Sequence, residues 1–551
     1  MSDVATLDRE LPDAELVFAF VSPLGTPFQP VQDALSSALT QHRYEVEVIV
    51  HLSHLLDEMQ QLPASERPAR RQERLMEAGN DLRRKFGGDY LALMAIAAIN
   101  ATRTTRGSDV VTPHGRRAHI IRSLKHPDEV ARLRHVYGKG FFLIGVSAPR
   151  WLRLQTLIDR NFPQDEANRL LDKDAAEKAK IGQQTRDTFE LADAFVRVDE
   201  VGDIKTQNKI ERIVDLMLSC PFLPPTREEH AMFMAYAAAL RSSDLSRQVG
   251  AVVANHAGDV VASGANDAPS SSGGSYWPEA KGFSSEVDDG QGPDYRRGYD
   301  SNERERNKIL AGVIAAFLPN EGPTPSDIGA AEWAAAMSPD ERAELVLRHK
   351  DKLEGTGILD LTEFGRAVHA EMAALMSCAR SGVTPVRGTL YCTTFPCHNC
   401  AKHIVSAGIT SVVYVEPYPK SKAKDLHADS IALPDEEETA SEDARVEFRA
   451  FDGIGPRRFV DLFSLTLGSG RPLRRKQKNA DGARIAWERG THSRPRLPLD
   501  PRSYLEREDA AAKIFRQVHP KNANLPPGEP ADGTPDERAK DTDSPGSTGG
   551  G

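Results

Sequence analysis

At 551 residues the chain is longer than one hydrophobic core organises, so two domains with appendages are expected. A formal net charge of -10 excludes the global basic field that holds a protein on DNA or RNA, but leaves room for small anionic ligands gripped by a local cluster of Arg and Lys. The five cysteines, an odd number with two of them in a C-x-x-C, do not make a disulfide framework and fit a reducing cytoplasm. The acidic amino terminus lacks an apolar export segment, and the longest apolar run, Leu91 to Ile99, is about half of a membrane helix. A cytoplasmic protein without a membrane partner is the expectation.

After a polar leader (1–13), Leu16 to Val21 reads as a buried strand, Ser22 to Pro27 as a turn and Phe28 to Leu39 as a helix. Strand patterns recur at 45–50, 119–123, 141–147 and 194–198, alternating with helical patterns at 68–86, 90–102, 126–137 and 182–191. Pro127 fits the first turn of its helix. This alternation predicts a doubly wound α/β domain with a parallel sheet over 14–200.

The turn after the first strand sits where such a fold carries a phosphate loop. A Walker A loop needs glycines, a Lys for the phosphates and a Ser or Thr for magnesium. Here Gly25 and Thr26 are the surviving nucleotide-binding candidates, no Lys follows, and Pro27 removes an amide donor. The loop therefore resembles a degenerate P-loop. It argues against phosphoryl transfer and leaves a structural, dimerising or nucleotide-sensing domain. Arg132, Arg134 and Lys139 lie on a predicted helix and its exit, as surface cations or phosphate contacts.

Residues 201–240 read as a helical connector broken by Pro221, Pro224 and Pro225, with Thr226 and Glu229 forming a capping box. Residues 249–255 and 260–264 make a β-hairpin. A long insertion, 266–360, with a helix at 301–317, is too large for a structureless loop and is expected to cap or flank a site. A helix over 367–380, a strand over 388–393, a helix from Cys397 closed by Gly408 and strands at 411–415 and 445–451 complete a domain spanning 241–467. A basic irregular extension (468–519) and a Pro/Gly/Asp/Ser-rich tail (520–551) follow.

The chemistry concentrates in His369-Ala370-Glu371 and Pro396-Cys397-His398-Asn399-Cys400. One imidazole and two thiolates make a three-ligand Zn2+ site with one open position, and Glu371 is left over as a carboxylate that the metal does not need. Both ligand groups fall at predicted helix starts, where unpaired amides favour thiolate over thiol. Glu371 shares the first turn with His369, within reach to shuttle a proton. A structural zinc knuckle would need a second ligand pair of similar spacing, and the H-x-E with P-C-x-x-C order is the signature of zinc deaminases of nucleobases. Cys378 and Cys392 read as small core residues, and His398 and His403 as non-ligands, His398 pointing away in its helix.

The stretch from Thr226 to Phe463 resembles the deoxycytidylate deaminase branch of the cytidine deaminase superfamily. The residues that carry it include Leu240 to Ala251, Gly264 to Asn266, Gly273 to Trp277, the two motifs above, Glu416 to Ser421 and Phe451 to Pro456. With Arg122 to Val130, the whole resembles the bacterial anti-phage deoxycytidylate/dCTP deaminases, a degenerate P-loop kinase-like domain followed by an α/β/α cytidine-deaminase-like domain. The resemblance implies hydrolysis of dCTP or dCMP to dUTP or dUMP, depleting dCTP during phage replication. It implies Asn266 as a sugar contact, Arg247 and Lys420 as phosphate contacts, a homo-oligomer, and control through a regulatory nucleotide or a repressing RNA or protein partner. Two alternatives stay open: a deaminase acting on tRNA or single-stranded DNA, for which the basic extension is a foothold, and a nucleotide-sensing regulator with an inert zinc site. The preference between mono- and triphosphate also stays open.

Overall fold

The computed structural model describes residues 15–60, 66–105, 115–176, 184–271, 273–277, 292–317, 329–353, 356–361, 363–416, 421–435, 444–468, 471–477, 481–497 and 501–518. They divide into two compact units, one drawn from 1–148, 152–224 and 458–551, the other from 149–151 and 225–457. The leader, the tail and Lys420 lie outside the described residues.

In the first unit, strands β1 (Leu16–Val21), β2 (Glu45–His51), β3 (Arg117–Arg122), β4 (Phe141–Ser147) and β5 (Ala194–Arg197) pair in parallel in the order β2-β3-β1-β4-β5. Every residue of β1 is buried, as a central parallel strand covered on both faces requires. With β3 on one side of β1 and β4 on the other, the strand order reverses at β1, and the loop 22–28 leaves from that switch point.

The apolar run at 91–99 belongs to the helix Tyr90–Thr105 and is buried throughout. Among the described residues no helix is long and apolar enough to cross a membrane. Part of its cover is a helix over Pro501–Val518, inside the stretch that reads as irregular from sequence. Tyr504, Leu505, Glu508, Ala511, Ala512 and Phe515 are all buried and recur at helical spacing, a stripe that the surrounding basic and Pro-rich composition obscures.

Buried charge ties this cluster together. Arg103 donates from Nη1 and Nη2 to Glu15 at 2.8 and 2.6 Å and from Nε to Glu508 at 2.8 Å, with all three residues almost wholly buried. Burial would raise the Glu15 carboxyl, but the hydrogen bonds and charge of Arg103, with His119 nearby, outweigh it and hold the group well below the usual carboxylate range.

The stretch 201–240 holds helices broken at the prolines, and they fall to different units. Ile204–Met217 buries Ile210, Ile213 and Val214 in the first, and Arg227–Ala239 buries Met232 and Ala235 in the second. Pro224 and Pro225, which cannot continue a helix, stand at the division. The second helix starts with the expected capping box: Glu229 N–H donates to Thr226 Oγ1 at 3.1 Å and Thr226 N–H to Glu229 Oε2 at 2.7 Å.

The second unit is a mixed sheet of β6 (Gly250–Ala254), β7 (Val260–Ala265), β8 (Thr389–Thr394), β9 (Ser411–Glu416), β10 (Ile431–Ala432) and β11 (Val446–Ala450), in the order β7-β6-β8-β9-β11-β10. β6 is antiparallel to β7 and β8, and the rest of the sheet is parallel. Two glycines set how closely helices approach the hairpin. A Cβ at Gly250 would lie 2.0 Å from Ala235 O, and one at Gly264 would lie 2.3 Å from Ala370 O. Gly264 thus lets the helix that follows His369 sit directly on β7. The insertion's helices Ser301–Phe317, Ala330–Ala336 and Pro339–Arg348 gather round a small core of their own, including Leu310, Ile314, Ala334 and Leu345.

Candidate active site

His369 and Cys397 are the N-cap residues of the helices Ala370–Ser381 and His398–Ser406, and Cys400 lies in the first turn of the second. Neither N-cap side chain caps its own helix. Instead they converge: His369 Nδ1 stands 3.3 Å from Cys397 Sγ and 3.4 Å from Cys400 Sγ. In a tetrahedral zinc site, bonds of about 2.05 Å to nitrogen and 2.3 Å to sulfur put neighbouring ligand atoms about 3.5 Å apart, so the trio has the spacing of one face of the tetrahedron. Among the described residues these are the His, Cys and acidic side chains able to hold a metal together.

The electrostatics match ligands close to one another. A hydrogen bond from Cys400 pulls the Cys397 thiol down to about 3, against burial and helped by His369. The hydrogen bond to Cys397 raises His369 to about 9. Cys400 is pushed up by its hydrogen bond with Cys397 and by burial. Glu371, in the first turn beside His369, is 4% exposed, and burial raises its carboxyl above the ordinary value. A carboxyl poised to take and return a proton is what acid-base work near neutral pH needs. Cys378 and Cys392 are buried in the core of this unit.

His369, Glu371 and Cys397 line a cavity of about 240 Å³, together with Asn266, Arg247, Phe395, Thr394, His398 and, from the insertion, Asp294, Asp300 and Asn302. Asn266 is buried, and its amide is used locally: Oδ1 accepts from Val249 N–H at 2.7 Å and Nδ2 donates to Arg247 O at 2.8 Å. Arg247 donates to Glu416 Oε1 at 2.8 Å, and Glu416 Oε2 accepts from Thr394 Oγ1 at 2.6 Å. His398 also faces the cavity, which corrects the expectation that it points away: at the first helical position its side chain falls on the same end of the helix as Cys397. His403 is exposed, with Nδ1 at 2.7 Å from Asn399 O.

Several wall residues escape a reading by motif: Arg366, Asp294, Asn302, Thr394 and Phe395. Only Arg366, three positions before His369, carries a local signal, a cation beside a ligand motif.

The first unit's candidates are placed differently. Gly25 has φ +79° and a Cβ there would lie 2.6 Å from Arg153 O. Thr26 Oγ1 donates to Pro23 O at 2.7 Å, Leu24 N–H to Asp174 Oδ2 at 2.8 Å and Lys125 Nζ to Ser22 O at 2.7 Å. The donors of Leu24 and Thr26 are turned to the protein's own acceptors, and Lys125 is spent on the loop's Ser22 carbonyl. Arg132 pairs with Asp89, Arg134 with Asp193 and Lys139 with Asp461.

With that geometry in place, residues 225–416 match the family model described as the cytidine and deoxycytidylate deaminase zinc-binding region. That match falls within the second unit and takes in the His369, Cys397 and Cys400 trio, a group that could hold a metal ion. Among individual proteins, ComE operon protein 2 of Bacillus subtilis (strain 168) is 43% identical over 53 residues, 10% of this chain and 28% of that protein. Deoxycytidylate deaminase of Enterobacteria phage T2 is 44% identical over 55 residues, 10% of this chain and 29% of that protein. The matched stretch thus spans under a third of these relatives' length. Among solved structures, the dCMP deaminase of cyanophage S-TIM5, in complex with dCMP and dUMP, covers 42% of this chain and 99% of its own at 17% identity, with a TM-score of 0.21.

Proposed function

We propose that this chain hydrolyses deoxycytidine nucleotides, dCTP or dCMP, to the deoxyuridine nucleotides and ammonia. The observation that carries the reading is the buried Glu371 carboxyl beside the His369, Cys397 and Cys400 trio, with Glu371, His369 and Cys397 on the wall of a cavity. Zinc, when bound by these three residues, supplies the Lewis acidity that makes water a nucleophile near neutral pH. Glu371 takes the proton that water loses and delivers it to the ring nitrogen, then takes the remaining proton of the added hydroxyl and delivers it to the amine as the C–N bond breaks and the carbonyl forms. Phe395 offers a ring face to the base, Asn266 holds the loop against which the sugar lies, and Arg247 meets phosphate at the rim. A panel of deoxycytidine, dCMP, dCTP, CTP and a cytosine oligonucleotide, with zinc measured on the same sample, tests this. Turnover of the oligonucleotide alone would replace it with polynucleotide editing.

The same reading assigns the first unit to control. Its strand order and its loop at the switch point support a P-loop kinase-like ancestry, and the occupied loop donors support regulation over phosphoryl transfer. In the cytoplasm, such an enzyme would deplete dCTP during phage replication, as a homo-oligomer held off by a nucleotide or by a repressing RNA or protein. Nucleotide pools before and after infection, in cells carrying the chain or its Glu371→Ala variant, test the role. A dCTP pool that falls equally with both sinks it.

A further inference from the structure

We infer that Arg366 is the residue that reads the phosphate end of the substrate, and that Asp294 of the insertion stands in for that phosphate in the unliganded chain. The inference rests on the proposed nucleotide deamination and names the residue that sets its demand for phosphate.

A nucleotide entering the cavity brings negative charge into a wall that already carries Asp244, Asp294 and Asp300. Two arginines line the same wall, Arg247 and Arg366, and each is paired with a carboxylate. Which of them can turn to a phosphate depends on what its partner loses. Glu416, the partner of Arg247, lies at the end of β9, opposite Thr394, and keeps one hydrogen bond, from Thr394 Oγ1. Arg247 itself is 43% exposed, at the rim.

The other pair is built for exchange. Arg366 Nη1 donates to Asp294 Oδ1 and to Gly292 O, both at 2.9 Å. Asp294 in addition accepts from Ser301 N–H at 3.3 Å and Ser301 Oγ at 3.2 Å. When Arg366 leaves, Asp294 keeps two donors, so its carboxylate is not stranded, and stranding is the main cost of breaking a partly buried pair. Nε and Nη2 of Arg366 have no partner among the described residues, which leaves the planar fork that recognises phosphate in two-point fashion free to engage.

The backbone fixes where that fork can reach. Val368 and Asp267 exchange backbone hydrogen bonds at 2.9 and 3.2 Å, which clamps the segment before His369 to the residue after Asn266. Arg366 and His369 are three residues apart, no more than about 10 Å along the chain. With the base amine at the His369 end, the side chain of Arg366 commands the opposite end of a nucleoside.

Kinetics of the zinc-loaded full chain and two variants on deoxycytidine, dCMP and dCTP test the inference. Arg366→Gln should raise KM for dCMP and dCTP about 10- to 100-fold, the scale of a charged hydrogen bond, with kcat and the deoxycytidine constants within about 3-fold. Asp294→Asn, which frees the arginine, should move nucleotide KM the other way, downward by about 2- to 5-fold. If both variants raise KM, or if deoxycytidine suffers as much as the nucleotides, the pair is structural and the inference is overturned. If Arg366→Gln fails to hold zinc, Arg366→Lys serves in its place, with an intermediate KM expected and an unchanged KM overturning the idea. Should the unaltered chain deaminate none of the three, the proposed reaction falls. Calorimetric titration with dCMP then decides the inference alone: binding lost in Arg366→Gln supports it, and equal binding overturns it.

Discussion

Two histidines occupy the same local position in the two units and do opposite things. His126 begins the helix Pro127–Tyr137, its Nδ1 accepts from Asp128 N–H at 3.1 Å, and Glu129 completes a capping box. His369 begins the helix Ala370–Ser381, caps nothing, and turns Nδ1 to two cysteine sulfurs. In the first unit the helix start is satisfied from within, and the same holds in the loop 22–28, where Leu24 N–H meets Asp174. In the second unit, the side chains of His369 and Cys397 at their helix starts are withheld from capping and turned to one another at the edge of a cavity. Of these two histidines, the one that gives up the ~1 kcal/mol of a cap lies at the candidate site, and the one that keeps it lies in scaffold.

The sharpest way to break the comparison is to remove a member of the trio. His369→Ala or Cys400→Ser should reduce bound zinc from stoichiometric to near zero and abolish deamination, as read by metal analysis and ammonia release. Retained zinc would return His369 to the role of an ordinary helix start. Glu371→Gln should lower kcat by about 10²- to 10⁴-fold, the range of general acid-base catalysis, with zinc content unchanged. Loss of zinc in that variant would make Glu371 a support for the metal.

On the scaffold side, Arg103→Met should cost about 3–5 kcal/mol in urea unfolding, because it leaves Glu15 and Glu508 buried without their cation. The sign of the pH dependence follows from the depressed Glu15 carboxyl. Its contribution is fully present above the unfolded carboxylate value of about 4.3 and is lost as pH falls below it. The intact chain should therefore lose stability on acidification below that value, and Arg103→Met should lose less of its remaining stability over the same range. The smallest effect is reserved for the partner of the comparison: His126→Ala should cost about 0.5–2 kcal/mol and leave zinc content and KM unchanged. A fall in bound zinc in His126→Ala would erase the distinction between the two histidines.

The trio and Glu371 were legible because their geometry is short-range: two ligand motifs, each confined to one helix start, need only be brought together once. The strands of both units were legible as well, since buried parallel strands are continuous apolar runs. Beyond Asn266 and Arg247, the walls of the cavity were not. Arg247 and Glu416 are 169 positions apart, and Asp294 belongs to an insertion whose sequence announces only its length. The helix Pro501–Val518 was hidden for a related reason, since its buried face includes Glu508, an apolar-looking position only once Arg103 is known to meet it.

The sequence by itself picked out the His369, Cys397 and Cys400 trio, Glu371 beside it and the presence of two α/β units, because spacing along a helix or strand dictates which side chains share a face. Tertiary structure decided that Asn266 spends its amide on the backbone, that His398 faces the cavity, and that Arg366 pairs with Asp294. Those outcomes depend on hydrogen-bond partners supplied by distant segments, and a donor's partner is fixed only when the chain has closed around it.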